Sequence, residues 1–81
     1  MEWDLWVDYQ RTDGQGLTHA NLRNAAPGVV VEPGAYLVVG NEEADSAVAQ
    51  VVSLDDQIVL LRVLPGSVEE HHHLVTARRA S

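Results

Sequence analysis

The residues most able to do chemistry lie in one run, Glu69-Glu70-His71-His72-His73. On a β-strand, side chains two positions apart share a face about 6.5–7 Å apart. Glu69, His71 and His73 would then align as one carboxylate and two imidazoles. In a chain without cysteine, that donor set suits Zn²⁺, and His19 offers a further nitrogen ligand. The spacing is not the H-E-x-x-H of a helical zinc site. The same residues also read as a solvated polar segment leading into Leu74-Val75. A third reading is a pH response, because histidine titrates nearest to neutral pH and two glutamates stand beside these rings.

Other catalytic constellations are missing from the sequence. Ser46, Ser53 and Ser67 lack a G-x-S-x-G context. The pairs Glu42-Glu43 and Asp55-Asp56 fall in turn-like stretches, where solvation keeps both carboxylates ionised instead of separating their pKa values. Gly14-Gln15-Gly16 lacks the Lys-Ser/Thr pair of a phosphate loop. A non-enzyme is expected, with no cofactor demanded by any motif.

Charge narrows the partners. Twelve acids stand against five bases, all arginine, for a net charge of −7. Residues 32–70 hold eight acids and a single base, Arg62. Nucleic-acid binding needs clustered cations on phosphates, so none is expected, and an anionic membrane surface is disfavoured in the same way. No apolar run approaches the roughly 18 residues of a membrane helix. The first residues are acidic where a secretory leader would be basic. A cytoplasmic protein is the expectation. Thirteen valines beside one isoleucine, with arginine as the only strong base, match the codon bias of a high-GC bacterium.

Contacts are the remaining candidate activity. Trp6 lies between Asp4 and Asp8, on the opposite face of an alternating segment from Trp3, Leu5, Val7 and Tyr9. It is either an exposed contact residue or a cover for the second apolar face of the sheet near Ile58 or Leu60. Trp3 and Tyr9 are expected in the core.

The positioning elements are strands. With 81 residues the chain is one small domain with a modest core. Residues 1–76 are assigned to it, and 77–81 to a flexible basic tail. Alternation predicts strands over 3–9, 35–40, 47–54 and 57–64, with a short β-branched run at 29–31. Residues 11–16 carry turn chemistry. Residues 17–26 are ambiguous between a returning strand and a short helix capped by Thr18, and an irregular segment with one or two helical turns is expected there. Strand 57–64 is apolar on both sides. Val59, Leu61 and Val63 form one face, and Ile58, Leu60 and Leu64 surround Arg62 on the other. One face of a small antiparallel sheet is ordinarily wet, so either the N-terminal strand crosses this second face or another chain covers it.

These strands describe an all-β fold, a small barrel of five or six short antiparallel strands with at most one short helix near 18–26. The stretch Pro33-Gly34-Ala35-Tyr36-Leu37-Val38-Val39-Gly40, then residues 47–54, then 58–66 resembles the meander of small SH3-like barrels, in the manner of an uncharacterised bacterial small-barrel family. The resemblance spans residues 29–66 and implies an SH3-like barrel. Such modules often bind peptides, RNA or proteins through loop aromatics. Loop 41–46 has no aromatic residue, so no site residue carries over. The expected function is a non-catalytic protein-interaction module contacting its partner through Trp6, Ile58, Leu60 and Arg62, with a homodimer as one form. The alternative is metal binding by Glu69, His71 and His73.

Overall fold

In a computed structural model, residues 3–75 are described. Three strands form the meander that alternation predicts: β3 (Tyr36–Asn41), β4 (Ala44–Asp55) and β5 (Ile58–Val63). Two shorter strands complete the sheet, β1 (Leu5–Trp6) and β2 (Leu17–Asn21), in the order β1-β3-β4-β5-β2. The β4–β5 turn falls at Asp56-Gln57, one residue later than predicted, with Asp56 at φ 58. Aspartate accepts this left-handed conformation more readily than most residues.

Each side chain of β5 follows the period-two rule. Val59 and Leu61 are fully buried, whereas Ile58 and Arg62 are exposed and Leu60 is half-buried. Across the inner face Leu5, Val7, Leu37, Val39, Val51, Val59 and Leu61 pack with four alanines into one core. Ala47 and Ala49 are among these alanines, small side chains on the inner face of the curled sheet.

Both ends of the sheet draw together. β2 runs into a 3₁₀ turn at Leu22–Asn24, and Ala25 then bridges back to Leu5 on β1. This contact bends the five strands into a small half-barrel. Asp4 seals the same corner from a buried position. Its N–H donates to the Val38 carbonyl at 2.7 Å, its carboxylate accepts from the Val38 N–H at 2.9 Å, and its carbonyl accepts from the Ala26 N–H at 2.8 Å.

Several expectations need correction. The N-terminal strand covers two residues, not 3–9, and pairs with β3 in parallel, so the strands are not all antiparallel. Tyr9 belongs to a 3₁₀ turn, Tyr9–Arg11, whose N-cap Asp8 accepts from the Gln10 N–H. Residues 17–21 are strand, not the irregular or helical segment expected. Pairing with β5 overrides the weak local preference there. Residues 29–31 join no named strand. The α-helix among the described residues is α1 (Val68–His71), followed by a 3₁₀ turn, His72–Leu74, whereas the short helix was expected near 18–26, where only the 3₁₀ turn Leu22–Asn24 forms. Ser67 caps α1 by accepting from the Glu70 N–H. The predicted tail, 77–81, lies outside the described residues.

Candidate functional site

The outer face of the half-barrel can be read strand by strand from the register. Arg62 lies between Gln50 on β4 and Leu17 on β2. One row along, Leu60 lies between Ser53 and His19, and beyond it Ile58 lies between Asp55 and Asn21. A β-bulge between Val51 and Ser53 leaves Val52 as the extra residue of β4. Val52 and Ile58 are the exposed large hydrophobics of the described residues, at 40% and 42%. They flank half-buried Leu60. Three of the predicted contact residues, Ile58, Leu60 and Arg62, therefore form one surface, and Val52 joins them. Val52 was not among the expected contacts, although period two counted from Gln50 puts it on the outer side.

The N-terminal strand does not cross this face. It lies at the β3 edge and sends Leu5 and Val7 into the core. What covers part of the outer face is the C-terminal segment. α1 packs against β4, on which Val48 is fully buried although it points away from Ala47 and Ala49. A shallow groove of about 470 Å³ runs between them, lined by Asp45, Ser46, Gly66, Ser67, Val68 and Glu69. The Ile58 end of the face carries no such cover among the described residues.

Trp6 stands apart from that surface, because β3 and β4 separate β1 from β5. It does not cover Ile58 or Leu60. Its indole N–H donates to the Glu42 carboxylate at 3.2 Å, beside a polar groove of about 170 Å³ formed with Asp8, Gln10, Asn41, Glu42 and Glu43. Asn41 holds that corner by donating to the Val7 carbonyl at 2.8 Å and accepting from the Glu43 N–H at 2.8 Å. Trp3 is half-buried, not a core residue, and its indole N–H has no partner among the described residues. Its ring edge lies over Gly40, where a Cβ would meet Trp3 Cε3 at 3.4 Å and Ser46 Oγ at 3.1 Å. Tyr9 is half-buried against the core, with its hydroxyl near the Val39 and Asp45 carbonyls. Burial, and then the Asp45 charge, raise its pKa.

The histidine cluster loses the geometry on which its metal reading rested. Glu69, His71 and His73 no longer alternate along a strand, since α1 and its 3₁₀ extension turn them through different directions. The His71 Nε2 makes a 2.7 Å hydrogen bond with the Pro65 carbonyl, which as an acceptor requires that nitrogen to carry the proton. Among the described residues no group of three or more His, Cys, Asp or Glu is placed to hold a metal ion.

One pairing escaped the sequence reading. His19 Nε2 meets Asp13 Oδ2 at 3.0 Å, while Asp13 Oδ1 accepts from the Gln15 and Leu17 amides at 2.8 and 3.1 Å. His19 above all, then the Leu17 and Gln15 amides, hold the Asp13 carboxyl below its ordinary range. The six-residue separation gave no local motif; only the turn that returns the chain into β2 brings them together.

Comparison with protein-family models, with curated proteins and with solved structures found no match. The resemblance to small barrels stands at the level of a β-rich half-barrel. No helix among the described residues is long and apolar enough to cross a membrane.

Proposed function

We propose that this protein is a non-catalytic interaction module that docks a protein partner on the outer face of β4 and β5. The observation that carries the reading is the pair of exposed hydrophobics, Val52 and Ile58, set around Leu60 on the β4–β5 hairpin with Arg62 at one end. Contact surfaces join such an apolar centre to a polar rim, and arginine is enriched in them. The SH3-like resemblance of residues 29–66 agrees with a binding role, since small barrels of that kind present ligand surfaces on a stable sheet. The acidic composition weighs against a nucleic-acid partner.

A photo-crosslinking amino acid at position 58 or 52, in the full chain and in its native cell, tests the reading. Adducts are expected at both positions and not at Glu32, an exposed control. Equal labelling at all three positions, or none at 52 and 58, overturns it. Repeating the experiment in Trp6→Ala shows whether the docking face is confined to β4 and β5 or reaches the Glu42 corner.

A further inference from the structure

Arg62 is the one base among residues 32–70, and eight acids share that stretch. Despite this surplus, no ion pair or hydrogen bond holds its guanidinium among the described residues. It is exposed on the outer face, cross-strand from Gln50 and Leu17, neither of them charged. At the other end of the same face Asp55 lies cross-strand from Ile58, with Asp56 in the turn beyond. Along β5 the surface therefore runs from negative at Asp55 through apolar Ile58 and Leu60 to positive at Arg62. Ile58 and Arg62 are four positions apart, roughly 13 Å of strand, and Leu60 is the midpoint.

We propose that this face pairs with a second copy of the chain about a two-fold axis near Leu60, which sets each Arg62 against Asp55 of the opposing copy. The inference rests on the docking role proposed above and names its partner. A two-fold axis makes contacts reciprocal, so one charge gradient supplies both ion pairs. Stacking the copies in the parallel sense would instead oppose Arg62 to Arg62 and Asp55 to Asp55, which costs association energy. The apolar centre comprises two side chains about two-fifths exposed and half-buried Leu60. It is small beside the roughly 800 Å² per partner of a standard interface. A weak, concentration-dependent dimer is the expected form.

Sedimentation velocity on the untagged full chain, from about 5 to about 500 μM, reads the equilibrium directly. Wild type should move from the 8.8 kDa monomer toward twice that mass. Arg62→Asp and Asp55→Arg should each weaken the dimer by about ten-fold or more. Mixing those two variants should restore a one-to-one dimer, because each arginine of one chain then meets an aspartate of the other. The double variant Arg62→Asp/Asp55→Arg should also pair with itself. Both positions are exposed, and circular dichroism confirms that the variants remain folded. A wild type that stays monomeric overturns the proposal; adducts with other proteins at 52 and 58 would then leave the docking reading standing, and their absence would remove both. A dimer indifferent to either charge reversal, or one that mixing fails to restore, overturns the Arg62–Asp55 pairing.

Discussion

Asp4 offers the sharpest test of how the half-barrel closes. Alanine at this position keeps the two backbone hydrogen bonds to Val38 and Ala26 and removes the 2.9 Å bond from the Val38 N–H to the carboxylate. The amide then loses a charged acceptor at a site where Asp4 itself is 2% exposed. Hydrogen bonds to charged groups contribute about 1.5–3 kcal/mol, and a stranded buried donor costs about 1–3 kcal/mol; both describe the same loss, so Asp4→Ala should cost about 2–3 kcal/mol. A chain of this size has roughly 4–12 kcal/mol in total. At about 4–8 °C per kcal/mol for a small domain, the melting temperature should fall by about 8–24 °C. Urea denaturation followed by tryptophan fluorescence would show a lower midpoint with an unchanged slope. Asp4→Asn keeps an acceptor oxygen and should fall between the two. If Asp4→Ala lies within about 0.5 kcal/mol of wild type, the range of an ordinary surface substitution, Asp4 does not close the barrel and the account of its corner is wrong.

Two further outcomes follow from the polar contacts. Because the folded pKa of Asp13 is depressed, its contribution to stability is fully present above its ordinary value of 3.8 and is lost as pH falls through the lower folded value. Asp13→Asn should therefore flatten the acid side of the stability profile in that window; an unchanged profile would show that the His19 and amide contacts do not persist in solution. One equivalent of Zn²⁺ should leave the melting temperature and the His71 and His73 ring signals where they are, since the Pro65 carbonyl already engages His71. A stoichiometric shift confined to Glu69, His71 and His73 would reinstate the metal reading.

Much of the meander was legible in the residues themselves. Alternation over 35–40, 47–54 and 57–64 reports burial directly, because a strand exposes its two faces in turn. That rule also marked Ile58, Leu60 and Arg62 as companions before any register was known. It failed where local preference was weak and a distant neighbour decided. Residues 17–21 became a strand only because β5 offered them a ladder. The alternation of residues 3–9 promised a longer strand, but only Leu5 and Trp6 form strand with β3, flanked by the Asp4 and Val7 hydrogen bonds to it, and the chain then turns under the Asp8 cap. Glu69, His71 and His73 had a strand's spacing, yet Ser67 caps a helix there.

The sequence alone determined the all-β class, the inner-face residues of the meander and the acidic surface, since each depends on residue type and near neighbours. Tertiary structure decided which apolar face stays open among the described residues, that Trp6 and Ile58 belong to different surfaces, and that no acid among the described residues pairs with Arg62. These depend on strand order and register, and strand order places side by side residues that lie tens of positions apart in the chain.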